Sequence, residues 1–179
     1  MTHPYRAPPD PITMPLRLLT TGGTFDKHYD PLTGQLVFAD AHLPQCLAQA
    51  RFDSPPVVQA LMAIDSLEMT DHHRQQILAA CRDSPERRIV IIHGTDTLVD
   101  TAAVLGSARL EATIVLTGAM VPAEIEGSDA LFNLGFAAAC ATTLAHGVWV
   151  AMNACVFDWR NVRKNRALGR FEPITPTMP

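Results

Sequence analysis

Five short apolar runs, separated by stretches of helical periodicity, limit what this chain can fold into. The runs cover residues 16–21, 57–64, 88–93, 112–117 and 147–153. Each is rich in Val, Ile or Leu and lacks clean alternation, the pattern of strands covered on both faces. Between them, 43–51, 71–81, 98–110 and 128–145 carry apolar residues at three- and four-residue spacing. Asp71 and Ser128 are placed to cap two of these helices. The segment TGQLVF, 33–38, suits a small hairpin. Strands alternating with helices predict an α/β fold: a three-layer, flavodoxin-like, doubly wound and mainly parallel sheet. No repeat or linker divides the chain after residue 15, so 16–179 is read as one domain. Residues 1–15, Pro-rich and without an apolar signal core, read as a disordered extension.

Composition removes several classes of function. The formal net charge of −4 gives no electrostatic footprint for nucleic acid, and the apolar runs are too short to span a bilayer. Cys46, Cys81, Cys140 and Cys155 are scattered without a CxxC pair, which suits free buried thiols in a reducing cytoplasm. His72 and His73 form a close pair in sequence, but neighbours on a helix point apart, so a solvated helix start explains them better than a metal.

In sheets of this kind ligands bind beyond the carboxyl ends of the strands. There the sequence places Thr20-Thr21-Gly22-Gly23-Thr24, Ile64-Asp65-Ser66, His93-Gly94-Thr95-Asp96-Thr97 and Thr117-Gly118-Ala119-Met120. Four strands thus deliver hydroxyls, a carboxylate and glycine-freed backbone to one edge. Such an edge suits nucleophilic catalysis: a threonine attacks a carbonyl, a base takes its proton, and backbone N–H groups hold the oxyanion. The same residues can instead cap helices and fix turns, and the spacing leaves both readings open. Nucleotide loops (GxGxxG, GxxxxGK[ST]) and the GxSxG elbow are absent. His28 is a candidate base. Lys164 is another, although Arg160, Arg163, Lys164 and Arg166 equally suit a solvated basic surface. His93 is expected to pack or hydrogen-bond within its turn.

The segments TTGGTFD, IIHGTDTLVDTA, LTGAMVPAEIEGSDALFNL and AMNACVFDWRNVRKN resemble, in order, the signature segments of bacterial-type L-asparaginases. The resemblance spans about residues 16 to 166. It implies hydrolysis of L-asparagine to aspartate and ammonia through an acyl-enzyme, with no metal and no organic cofactor. It also implies residue roles. Thr24 is the nucleophile, Tyr29 activates or positions it, and Thr95, Asp96 and Lys164 form a second catalytic group. Ser66 takes the substrate carboxylate, Asp96 the amino group and the Ala119 carbonyl the side-chain amide, with Gly23, Asp65, Gly94 and Thr95 bordering the substrate. Thr21 supports the turn, and 25–34 forms a lid.

Two departures stand out. Where the family has Ser-Gln-Asp, this chain has Ser66-Leu67-Glu68. Typical members also carry a second domain, and the resemblance here covers the first. The alternatives are a non-catalytic binding or regulatory remnant and a related amidase acting on glutamine or another amide. The apolar stretch 131–144 and the resemblance together predict a homodimer, with a homotetramer as the next assembly.

Overall fold

The computed structural model describes residues 15–38 and 42–175; the expected N-terminal extension therefore lies outside the described residues except for residue 15. In chain order the strands are β1 (Arg17–Gly22), β2 (Lys27–Asp30), β3 (Gln35–Phe38), β4 (Val57–Ile64) and β5 (Arg88–Ile92). They continue with β6 (Thr113–Thr117), β7 (Gly147–Met152), β8 (Cys155–Asp158), β9 (Arg163–Asn165) and β10 (Arg170–Glu172). The helices are α1 (Leu43–Ala50), α2 (Asp71–Asp83), α3 (Leu98–Ser107) and α4 (Ala130–Thr143).

The central sheet runs β4-β1-β5-β6-β7-β8. Its first five strands are parallel, in the doubly wound order expected, and β8 closes the edge antiparallel to β7. Side chains alternate between two cores. Leu19, Ile89, Ile91, Ile114 and Leu116 pack against α2 and α3, whereas Leu18, Val90, Ile92 and Val115 pack against α1 and α4. No helix among the described residues is long and apolar enough to cross a membrane.

Several expectations need correction. β4 is not covered on both faces: it lies at the sheet edge, paired only to β1 within the sheet, with Val57 45% and Val58 46% exposed. Thr70, not Asp71, caps α2, in a reciprocal box with His73; α4 begins after Asp129, with Ser128 Oγ accepting from the Ala130 N–H. Cys46, Cys81 and Cys140 are buried free thiols, but Cys155 is exposed. The hairpin is larger than the segment 33–38, because β2 pairs antiparallel with β3 across the turn 31–34.

The winding also holds a reversal. The β1–α1–β4, β4–α2–β5 and β5–α3–β6 connections share one hand. α4 lies on the α1 face, so β6–α4–β7 crosses with the opposite hand. Parallel sheets almost never use that left-handed connection. A polar network centred on the buried Asn133 holds it. Asn133 donates to the Gly118 carbonyl at 3.0 Å and to Asp129 at 2.8 Å, and its Oδ1 accepts from the Asn153 N–H at 2.9 Å. Asp129 Oδ1 in turn accepts from the Met120 and Val121 N–H groups. α4 buries Leu134, Ala137, Ala138 and Cys140, leaving Phe132, 57% exposed, stacked on Phe136.

Candidate active site

The strand ends meet through their glycines. Gly23, at φ 78°, directly precedes a 3-10 turn of Thr24–Asp26. A Cβ on Gly23 would come within 2.4 Å of Gly94 Cα, and one on Gly94 within 2.6 Å of Ser66 Oγ. Only hydrogen side chains permit the ends of β1, β4 and β5 to touch in this way. Thr21 is fully buried and donates to the Ile92 carbonyl at 3.1 Å, which ties β1 to β5 just before the turn. Ser66 is buried, and its carbonyl accepts from Thr97 Oγ1 at 2.7 Å. Thr24 is half-buried, and among the described residues its hydroxyl makes no hydrogen bond.

Lys164 enters from outside the sheet. It lies on β9, opposite Phe171 of β10, and its ammonium donates to Thr95 Oγ1 at 2.7 Å and to Asp96 Oδ1 at 2.8 Å. The amine is largely buried, so both bonds are shielded from water. The other cations of this stretch lie outside this contact: Arg160 pairs with Asp158, Arg163 with Glu172, and the exposed Arg166 side chain reaches Asp96 only at 3.8 Å. Lys164 is therefore not part of a solvated basic surface.

The remaining candidates are spread around this centre. Ala119 is buried in the loop after β6. Asp65 is engaged by Lys27 Nζ and by the Leu67 N–H; these bonds, the lysine first, hold its carboxyl below the usual range. Tyr29 stands on β2, 57% exposed, and its backbone N–H donates to Glu124. Among the described residues no hydrogen bond joins Thr24 or Tyr29 to Lys164, Thr95 or Asp96. His28 belongs to a separate cluster with His42 and Glu124. Sequence reasoning missed Lys27, Glu124, Asp129 and Asn133. The charge at Lys27, four residues past Gly23, was the one available signal.

His93 is a structural histidine. It is fully buried, with Nδ1 2.7 Å from the Gly94 carbonyl and Nε2 2.8 Å from Thr101 Oγ1. Burial, above all, pushes its pKa down to about 4. The folded protein thus holds this ring neutral where the unfolded chain would protonate it. Stability is complete above about pH 6.5 and falls as pH drops toward 4, by up to about 3 kcal/mol from this group. The His93 ring signals in an NMR titration should stay in their neutral form down to about pH 4; titration near 6.5 would contradict the assignment.

Comparison with known proteins now bears on these strand ends. The sequence profile of the asparaginase N-terminal domain matches residues 15–172. The chain belongs to the asparaginase family. An L-asparaginase of Bacillus licheniformis is 29% identical over 84% of this chain and 49% of its own length. A component of the glutamyl-tRNA(Gln) amidotransferase of Methanococcus vannielii is 29% identical over 87% of this chain and 38% of its own. Among solved structures, the thermostable L-asparaginase of Thermococcus kodakarensis superposes with a TM-score of 0.80 at 28% identity, over 92% of this chain and 52% of that one. The asparaginase-family domain of this chain thus spans about half, or less, of the relatives it matches.

Proposed function

We propose that this chain is an L-asparaginase, releasing ammonia from the side-chain amide of L-asparagine through an acyl-enzyme on Thr24. The observation that carries the reading is the Lys164 ammonium, held on both Thr95 and Asp96 beside the glycine-packed strand ends. In this scheme Thr24 Oγ attacks the amide carbon, and Tyr29 assists once the hairpin closes. The Thr24 proton passes to the leaving nitrogen, the C–N bond breaks and ammonia departs. Water then attacks the ester, with Thr95 and Lys164 handling its proton, and frees aspartate and the Thr24 hydroxyl. Asp96 takes the substrate amino group and Ser66 its carboxylate.

A related amidase for another amide is the second reading. It is favoured by Leu67, which stands where the family has a polar residue and is 63% exposed. An ammonia-release assay over L-asparagine, L-glutamine and simple amides tests both readings. Preference for asparagine supports the first, preference for another amide the second, and inactivity on all of them would overturn both.

Leu67 also sets an expectation for affinity. Its N–H is engaged by Asp65, while its side chain offers no hydrogen bond to a carboxylate. A hydrogen bond to a charged group contributes about 1.5–3 kcal/mol, or about tenfold or more in affinity. Leu67→Gln should therefore lower KM for asparagine about tenfold with little change in kcat. Steady-state kinetics of the two proteins checks it.

A further inference from the structure

We propose that His28, His42 and Glu124 form a binding site for a divalent transition-metal ion of the Zn²⁺ type, which clamps the β2–β3 hairpin to the loop between β6 and α4. The three donor atoms already converge. His28 Nδ1 lies 3.2 Å from Glu124 Oε2, His42 Nε2 lies 3.1 Å from His28 Nδ1, and His42 Nε2 lies 3.6 Å from Glu124 Oε2. Zinc bound tetrahedrally by ligands at about 2.0–2.1 Å separates neighbouring donor atoms by roughly 3.3 Å. The observed triangle is one face of that tetrahedron, and two imidazoles with one carboxylate leave the fourth position open.

The surroundings support the site. Tyr29 N–H donates to Glu124 Oε1, which orients the carboxylate so that its other oxygen meets the histidines. Such outer contacts tune ligands in metal sites. Behind them lies Asp26, only 6% exposed, with Oδ1 lacking any hydrogen-bond partner among the described residues. Its carboxylate interacts electrostatically with His42 and His28. An ion between the imidazoles would supply the positive charge that this buried oxygen lacks.

The three ligands come from β2, from the residue before α1 and from the β6–α4 loop. His28 thus lies in the hairpin, His42 follows its last residue by four positions, and Glu124 follows Ala119 by five. Bound metal would fix the hairpin that carries Tyr29 over the loop that carries Ala119. The ion is a structural clamp and takes no part in the chemistry at Thr24, so the site stands whether or not asparagine proves to be the substrate.

The test is calorimetric titration of the chelator-treated full chain with Zn²⁺, without substrate. One ion per chain is expected. Removing a ligand should cost at least the ~10–100-fold in affinity that the loss of an outer contact costs in known sites. His42→Ala and Glu124→Gln should each show that loss, and His72→Ala, at an exposed position of α2, should not. Co²⁺ uptake by the unaltered protein should give the intense visible absorption of tetrahedral cobalt, a readout that needs no variant to fold. Zn²⁺ should also slow proteolytic cleavage in the turn 31–34. Absence of stoichiometric binding, undiminished binding in both ligand variants or an octahedral cobalt spectrum would overturn the site. Equal cleavage with and without the ion would overturn the clamp.

Discussion

Thr24→Ala is expected to abolish asparagine turnover while leaving the fold intact. Removal of a covalent nucleophile or its direct partner in a hydrolase lowers kcat on the order of 10⁴- to 10⁶-fold. Little stability should go with it. The Thr24 hydroxyl makes no hydrogen bond among the described residues, and the turn is held instead by backbone bonds, Asp26 N–H to the Gly23 carbonyl and Lys27 N–H to the Thr24 carbonyl. Substrate binding should therefore persist, and mass spectrometry of the quenched unaltered enzyme should find the acyl group on the peptide that contains Thr24. Near-normal turnover in the alanine variant would transfer the nucleophile's role to Thr95.

Lys164→Met is expected to be nearly as severe, with kcat reduced about 10²- to 10⁴-fold, the range for loss of a positioned proton-transfer group. The geometry explains the magnitude. Without the ammonium, the buried Thr95 hydroxyl loses its donor at 2.7 Å, and among the described residues Asp96 keeps Arg166 alone as a cation, 3.8 Å away. Unlike Thr24→Ala, this change should also destabilise the fold, by about 1–3 kcal/mol for a hydrogen-bond partner lost from a shielded site. Lys164→Arg should fail to restore activity, since a guanidinium does not release its proton at neutral pH. Urea denaturation beside single-turnover kinetics separates the two effects. Full activity in Lys164→Met would remove the lysine from the mechanism.

The parallel strands were legible in the sequence because each is a short apolar run bounded by turn residues. Their depth was less so: Val57 and Val58 carry the same letters as a central strand, yet they face outward at an edge. β9 and β10 gave no apolar signal, since cross-strand polar pairs such as Arg163–Glu172 help to hold them. The reversed hand of the α4 connection is invisible in a periodicity, which describes a helix's face but not the side of the sheet it chooses. At the site, glycines and hydroxyls converged as their strand-end positions implied. Lys164 could not be placed by spacing, because its partners stand 68 and 69 residues away. The His28–Glu124 contact, across 96 residues, was hidden for the same reason.

The packing of Gly23 on Gly94 and of Gly94 on Ser66 leaves natural variation an unequal choice of routes. Any side chain at either glycine would drive into backbone or into a buried hydroxyl, so drift cannot widen this floor one substitution at a time. The hairpin 27–38 is different: residues 31–33 of its turn are exposed, and there only Gly34, at φ 69°, is bound to its residue type. Substitutions at residues 31–33 meet little resistance from packing, and under the proposed mechanism they alter what closes over Thr24. New substrate preferences in descendants of this chain would therefore be written in the hairpin, while the strand ends are inherited unchanged.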